Sequence, residues 1–399
     1  MIPIRYAVVL CMFIVGSRAL AAEDEWERDM RAGEQAMIDG DYAAAEKQFS
    51  LAMEIAQTLD PLDARITATL YRLASAYHLQ GKNEKAISLL RRALSTDELA
   101  RGIDHPSVAV SASSLATVLS QSGEVKEAEA LYRRALEICE NKFGKDSLEV
   151  AQTLSNLAGL LYRIDRAREA REMLERSLAI EDKSPNVNSL DLMLTLNNLA
   201  SIYSGAGMRD KAKPLYERSL AVTKKAFGEN HPKAAIILDN LAELYQHEGD
   251  AAKAEALYKQ AIAIFDKTSR GQFPDAAIAH YRLASLYKSQ GKYDQAEAVV
   301  REAMTTVEKN LGTENEVFSR TLMELATVFW EQKKYEQAEP LVKRSVEINE
   351  KLRPRNDAIL ILSLENYAAL LKEMKREDEA RGVEQRIKDL KAAINDPAK

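Results

Sequence analysis

This chain of 399 residues is poor in the residues that break helices or cross-link loops. It contains 10 prolines, 16 glycines and two cysteines, and aromatic residues make up 6% of it. Few prolines and glycines favour a helical protein, because both residues destabilise helix interiors. If the chain is cleaved after Ala21, Cys139 is the one remaining cysteine, and a disulfide bond within the chain is excluded.

The sequence also lacks an excess of basic charge. Its 55 lysines and arginines face 61 aspartates and glutamates, which gives a formal net charge of −6. A mildly acidic chain without a basic patch does not have the charge distribution of a nucleic-acid-binding protein. Charged residues at 29% beside apolar residues at 46% indicate a folded protein and not a disordered one.

No apolar run is long enough for a typical transmembrane helix, which needs about 20 residues. The longest one, Tyr6–Val15, follows Arg5 and precedes the small-x-small sequence Ala19–Ala21. These features are typical of a secretory signal. We therefore predict that residues 1–21 are a cleaved signal peptide and that the protein is exported, to the periplasm or as a secreted protein. The alternative is an uncleaved segment that tethers the protein to a membrane.

The patterns of common catalytic and metal sites are missing as well. His105 and His231 are 126 residues apart and have the spacing of turn residues, and there is no cysteine pair, so we predict no metal site. Gly205–Gly207 does not form a nucleotide loop, because Asp210 replaces the third glycine. We predict no cofactor and no catalytic residues. Cys139 follows an apolar repeat position by one residue, which predicts partial exposure.

What the sequence does contain is one period that runs from end to end. Nine turn positions recur with a constant step of 42 in the numbering, after a first step of 41 from Gly40 to Gly81. An alanine follows each turn by five residues, and a small residue precedes each turn by seven. The turn positions are Gly40, Gly81, Gly123, Asp165, Gly207, Gly249, Gly291, Lys333 and Lys375. The alanines are Ala45, Ala86, Ala128, Ala170, Ala212, Ala254, Ala296, Ala338 and Ala380.

Each repeat predicts a helical hairpin. Apolar residues before a turn follow the i, i+3, i+4, i+7 spacing of one helix face, as at Leu238, Leu241, Ala242 and Tyr245. A second face with the same spacing follows Gly249. The two small positions mark where the helices cross, since backbones approach closely only where side chains are short. Where the turn glycine is absent, at Asp165, Lys333 and Lys375, we expect looser turns.

One hairpin cannot bury its second face, so neighbouring hairpins must stack. We therefore predict a single solenoid domain over residues 22–390, followed by a tail at 391–399.

The repeats resemble tetratricopeptide repeats, and their length is similar to that of the kinesin-light-chain-like branch. The stretch "LAELYQHEGDAAKAEALYKQAI" from Leu241 carries the resemblance, together with the connector "GENHP" at Gly228. It implies an all-α, right-handed α-solenoid of about nine stacked hairpins. It also implies a non-enzymatic scaffold that binds an extended peptide or a partner protein in a concave groove lined by the first helices. A membrane-tethered scaffold that organises an envelope complex is the alternative.

An asparagine recurs at one position of the predicted first helices: Asn156, Asn198, Asn240 and Asn366. Its amide both donates and accepts hydrogen bonds, which suits a peptide backbone. Helices about 8–10 Å apart and a ligand rising about 3.3 Å per residue would let successive asparagines meet about every third ligand residue. The alternative is that each asparagine bonds to the neighbouring hairpin and orients it.

Other candidate binding residues on the same face are Tyr71, Arg72, His78, Tyr162, Tyr281, Arg282, Lys288 and Trp330. Trp330 has two interpretations. Its indole, with Lys288 and Lys372 at the matching positions of the neighbouring repeats, suits an anchor site for a partner. Alternatively, it covers the turn at Lys333, where glycine is missing.

Overall fold

The structure is a computed structural model that describes residues 24–268, 273–352 and 357–394. The predicted signal peptide lies outside the described residues. Eighteen α-helices and no strand are present in the described residues. The prediction of an all-α fold made of helical hairpins is confirmed.

By its internal contacts the chain divides into two compact units, which we call unit 1 (up to Leu215) and unit 2 (from Tyr216); the division falls within α10. The helices of unit 1 are α1 (residues 24–39), α2 (Tyr42–Ala56), α3 (Ala64–Leu79), α4 (Asn83–Arg101), α5 (Pro106–Gln121), α6 (Val125–Phe143), α7 (Leu148–Arg163), α8 (Ala167–Glu181), α9 (Ser189–Gly205) and the start of α10 (Arg209–Phe227). Unit 2 continues with α11 (Pro232–Glu248), α12 (Ala251–Thr268), α13 (Phe273–Ser289), α14 (Tyr293–Leu311), α15 (Glu316–Glu331), α16 (Tyr335–Lys351), α17 (Asp357–Glu373) and α18 (Glu377–Ile394). The last helix extends past residue 390.

Within each unit, helices pack mainly against their neighbours in sequence. In unit 1, α5 contacts α6 within its hairpin and also contacts α7, the first helix of the next hairpin. In unit 2, α13 contacts α14 and α15 in the same way. The first helices of successive hairpins therefore lie side by side and form one face of each unit.

The predicted helix crossings are where the backbones pack most closely. All nine alanines that follow the turns are fully buried. At the first hairpin the small residue of the other helix is Gly33, where a Cβ atom would clash with the ring of Phe49. Larger side chains would strain these contacts, because protein interiors are close-packed. The crossing positions are thus confirmed.

The turns within the hairpins share one backbone conformation whether or not they contain glycine. Gly123 has φ +87° and Gly249 has φ +82°, and Asp165, Lys333 and Lys375 also have positive φ, at 59° to 60°. The expectation of looser turns at these three positions was wrong. The residues keep the left-handed conformation at some cost, because a Cβ atom disfavours it.

The two repeat histidines begin helices. The Nδ1 atom of His105 accepts a hydrogen bond from the backbone N–H of Ser107, and His231 does the same for Lys233. A proline follows each histidine at the first position of the helix, where its missing N–H costs no hydrogen bond.

Candidate binding face

The predicted asparagine position lies on the face formed by the first helices. In unit 1 this position is occupied by Arg72 on α3, Ser114 on α5, Asn156 on α7 and Asn198 on α9. Asn156 is exposed, and Asn198 and Ser114 are partly exposed. The side-chain amides of Asn156 and Asn198 make no hydrogen bond to any residue that the structure describes.

A groove of about 470 Å³ separates α5 from α7 in unit 1, and Ser114 and Asn156 both line it. Its walls also carry Ser113, Thr117 and Gln152, whose side chains are uncharged hydrogen-bonding groups. The volume is typical of sites that hold small ligands or a few residues of a peptide. The groove therefore displays the predicted amide position next to space for a ligand.

A second depression of about 340 Å³ lies between α3 and α5. It is lined by Tyr71 and His78, and it shares Ser114 and Thr117 with the first groove. The two depressions therefore lie next to each other, with Ser114 and Thr117 of α5 between them. The Nδ1 atom of His78 lies 2.9 Å from the Asn83 side-chain oxygen, which fixes the imidazole at this end.

In unit 2 a residue at the same repeat position forms a hydrogen bond within the protein. Asn240 on α11 accepts a hydrogen bond of 3.3 Å from Arg282, which occupies the matching position on α13. Arg282 also pairs with Asp239 and, at 3.2 Å, with Glu243. At Asn240 the bond to the neighbouring hairpin that we considered from the sequence is therefore present.

Burial dominates the electrostatics of this cluster. It raises the pKa of Asp239 to about 6, although the nearby Arg282 acts in the opposite direction. The second carboxylate oxygen of Asp239 is buried and accepts no hydrogen bond from any residue that the structure describes. On α15 burial also raises the pKa of Glu324, which holds the same repeat position as the asparagines.

The two tyrosines Tyr71 and Tyr281 use their hydroxyl groups inside the protein. The Tyr71 hydroxyl donates to Asp97 at 2.9 Å and contacts Ser111, and burial raises its pKa. Tyr281 is buried, its hydroxyl bonds to Thr321, and burial raises its pKa to about 12.

The other candidates differ in exposure. Arg72 is exposed and pairs with Glu34 at 2.9 Å, and Tyr162 on α7 is also exposed. Asn366 on α17 is partly exposed. The mostly buried Lys288 lies 3.4 Å from Glu331.

Trp330 packs against the core of unit 2. Its ring stands edge-on to Tyr335 with 6.4 Å between centroids. Tyr335 begins α16 two residues after Lys333, so the indole contacts the first helical residue after that turn.

A row of buried hydroxyls was missed in the sequence. These residues precede the face position by three residues: Thr69, Ser111, Thr153, Thr195, Thr321 and Ser363. Thr195 donates to Glu181 at 3.0 Å, and Ser363 accepts from Asn349 at 2.9 Å. Each bond joins a first helix to the second helix of the preceding hairpin. The signal was visible, since threonine begins both "TLSNLA" at Thr153 and "TLNNLA" at Thr195.

Cys139 is buried, so the prediction of partial exposure was wrong. Its sulfur lies 3.8 Å from the Thr153 hydroxyl, in the same row of polar contacts. Burial raises the pKa of the Cys139 thiol, which disfavours the reactive thiolate. Cys139 lies one residue after the apolar repeat position, but its side chain still faces the adjacent hairpin.

Metal-site and membrane-span features are both missing from the part of the chain that the structure describes. No cluster of three or more histidine, cysteine, aspartate or glutamate side chains in residues 24–268, 273–352 and 357–394 has the arrangement of a metal site. In those same ranges, no helix combines the length and the apolar character needed to cross a membrane.

The family model for tetratricopeptide repeats matches residues 29–99, 65–141, 107–183, 191–267 and 275–351. The starts of the last four matches are separated by one or two whole periods, which agrees with the step found in the sequence. The matches span more than half of the chain. This protein therefore belongs to the tetratricopeptide repeat family, whose members are interaction scaffolds.

Solved structures with related folds include the apo form of the quorum sensor NprR from B. thuringiensis. It has 16% identity and a TM-score of 0.62 over 80% of this chain and 86% of that one. The Rap protein complexed with competence and sporulation factor has 15% identity and a TM-score of 0.53 over 94% and 98%. BtubC (BKLC) from P. vanneervenii has 26% identity and a TM-score of 0.49 over 58% and 91%. A search of the curated proteins gave no match.

Proposed function

We propose that this protein is a non-enzymatic interaction scaffold that binds an extended segment of a partner protein on the first-helix face of unit 1. The observation that carries the proposal is Asn156. Its amide is exposed on the wall of a groove of about 470 Å³ and makes no hydrogen bond to a described residue. A ligand that enters the groove finds this donor and acceptor unoccupied.

The chemistry of the face suits a peptide backbone. An asparagine amide donates to a carbonyl and accepts from an N–H, which is what an extended main chain offers. The hydroxyls of Ser113, Ser114 and Thr117 on α5 add further partners in the same groove. Each such bond contributes about 0.5–1.5 kcal/mol net. Binding through the main chain would tolerate different ligand sequences.

The position of the asparagines sets the register of the ligand. First helices in contact lie about 8–10 Å apart, and an extended chain rises about 3.3 Å per residue. Asn156 and Asn198, on the adjacent helices α7 and α9, would therefore contact ligand residues about three positions apart.

The test is a pull-down from the envelope of the exporting cell. The bait is the full mature chain, either wild type or with Asn156→Ala and Asn198→Ala together. Asn141→Ala is the matched control, because Asn141 is an exposed asparagine on the second helix α6. We expect the double variant to lose partners that the wild type and the control retain. Equal recovery of the same partners by all three baits would refute the proposal.

We also propose that the protein acts outside the cytoplasm, on the basis of the amino-terminal sequence pattern. Amino-terminal sequencing of the protein from the envelope tests this. A start at Ala22 or Glu23 supports a released scaffold. A start at the first residue, with the protein in the membrane fraction, supports the tethered alternative and contradicts cleavage.

A further inference from the structure

We infer that the partner segment carries two apolar side chains about five or six residues apart, which contact Val110 on α5 and Leu194 on α9. This inference rests on the proposed function and adds the ligand class that the face of unit 1 selects.

The first step is the exposure of these two residues. The exposed fractions of Val110 and Leu194 are 58% and 40%. Each lies four residues, about one helical turn, before a face position, Ser114 and Asn198 respectively. Both aliphatic side chains therefore project on the same face as the amides. Covering them with a ligand would remove apolar surface from water, which is favourable.

The second step is that one of them borders the groove. Val110 lines the groove between α5 and α7, together with the exposed ring of Phe143. Val110 on α5 and Phe143 at the end of α6 give the groove apolar surface, and Gln152 and Asn156 on α7 give it side-chain amides. A ligand in this groove would place an apolar side chain against Val110 and its main chain against the amides.

The third step is the spacing. Within unit 1, α5 contacts α7 and α7 contacts α9, so Val110 and Leu194 are two first-helix steps apart. Two steps of about 8–10 Å span about 16–20 Å. An extended chain covers that length in about five or six residues. The helix between them, α7, carries Gln152 at the matching position, which favours an uncharged polar residue in the middle of the ligand.

The fourth step is charge. Among the described residues that line the groove, the charged ones are Arg101 and Glu149, which are of opposite sign. The remaining polar lining is made of hydroxyls, amides and one histidine. A strongly acidic or strongly basic segment would find no net charge complementarity here. The part of the ligand that occupies this groove is therefore preferably neutral.

The test uses phage-displayed random 12-residue peptides, selected on the full mature chain. We expect the enriched peptides to share two apolar residues five or six positions apart. Synthetic versions of one such peptide, with the apolar pair moved to separations of three to eight residues, should bind best at five or six. Fluorescence anisotropy measures the affinity.

The protein variants are Val110→Asp with Leu194→Asp, and the milder Val110→Ser with Leu194→Ser. The control is Leu99→Asp, since Leu99 is 74% exposed on the second helix α4. We expect the double variants to weaken binding about tenfold or more and the control to stay within twofold. Circular dichroism verifies that each variant is folded, and the serine pair decides the outcome if the aspartate pair unfolds.

The results separate this inference from the proposed function. If Asn156→Ala with Asn198→Ala abolishes binding while the Val110 and Leu194 variants do not change it, the inference is wrong and the proposed function stands. If neither set changes the affinity, or if no peptide is enriched over an empty support, both are wrong. Enrichment of charged motifs without a spaced apolar pair also overturns the inference.

Discussion

The first-helix faces of the two units place different chemistry on the same repeat position. In unit 1 the position holds Ser114, Asn156 and Asn198, which are neutral and accessible, and the exposed Arg72, which pairs with Glu34 at the surface. In unit 2 it includes Asn240 and Arg282, which bond to each other. A repeat position can thus be available to a ligand in one unit and used for internal contacts in the other.

The difference has a physical cause in the neighbouring residue. Asp239, just before Asn240, is buried, and an unpaired buried carboxylate is costly. Arg282 from the next hairpin offsets part of that cost and is held on the face in doing so. In unit 1 the matching residues before Asn156 and Asn198 are Ser155 and Asn197, which carry no charge. No ion pair is needed there, and the face stays open.

The largest expected effect is a loss of stability when the arginine at this repeat position is removed from unit 2, compared with its removal from unit 1. Arg282→Met should cost about 3 kcal/mol of unfolding free energy at neutral pH, because it leaves Asp239 buried without its ion pair. Arg72→Met, at the same repeat position in unit 1, should cost less than about 0.5 kcal/mol, since Arg72 pairs with Glu34 at the surface. Urea unfolding measures both, and hydrogen exchange localises the loss. Equal costs would remove the distinction between the two faces.

An effect of similar size, about 3 kcal/mol, is expected from the pH dependence of the same cluster. The pKa of Asp239 is raised to about 6 from an ordinary value of 3.8. A raised pKa means that the folded state favours the protonated form. The protonated Asp239 carboxyl therefore stabilises the folded state fully below about pH 4, and this contribution is lost as the pH rises through about 6.

The measurement is the difference in unfolding free energy between wild type and Asp239→Asn across pH 4 to 7. Wild type should lose stability relative to the variant over that interval and then remain level. Ser155→Ala in unit 1 is the control, because it removes no ionisable group and its difference from wild type should not change with pH. A wild type that gains stability relative to Asp239→Asn as the pH rises would contradict the role given to burial.

The smallest expected effect concerns the turns and should be alike in the two units. Asp165→Gly in unit 1 and Lys333→Gly in unit 2 should each stabilise the protein by up to about 1 kcal/mol, because glycine adopts positive φ without a Cβ clash. The reverse change, Gly123→Lys, should destabilise it by a similar amount. Thermal unfolding checks all three. A gain in only one unit would show that the turns, and not only the faces, differ between the units.

The repeat period made most of the fold predictable. Turn residues and crossing alanines recur at fixed spacing, and their conformation depends on local geometry that is the same in every hairpin. The positions of Gly33 and Ala254 at helix crossings could therefore be predicted from the sequence. The three turns without glycine were mispredicted because their residues accept a strained backbone that the hairpin packing imposes.

The binding face was harder to predict, because side-chain roles depend on neighbours in other hairpins. Tyr281 precedes Arg282 in the sequence, and we predicted both residues on the binding face. The Tyr281 hydroxyl instead forms a hydrogen bond with Thr321 on α15, the first helix of the next hairpin. Asn240 and Asn156 have the same repeat position, and the ion pairs of Arg282 with Asp239 and Glu243 make the surroundings of Asn240 different. Such contacts are specific to particular residue pairs, and the period alone does not contain them.

The most direct test of the central claim is the affinity of one selected peptide for two double variants of the full chain. Asn156→Ala with Asn198→Ala removes two accessible amides from unit 1, and Asn240→Ala with Asn366→Ala removes the matching pair from unit 2. Loss of two hydrogen bonds in unit 1 should weaken binding about tenfold or more, while the unit 2 pair should change it less than about threefold. Equal losses, or a greater loss from the unit 2 pair, would contradict the assignment of ligand binding to unit 1.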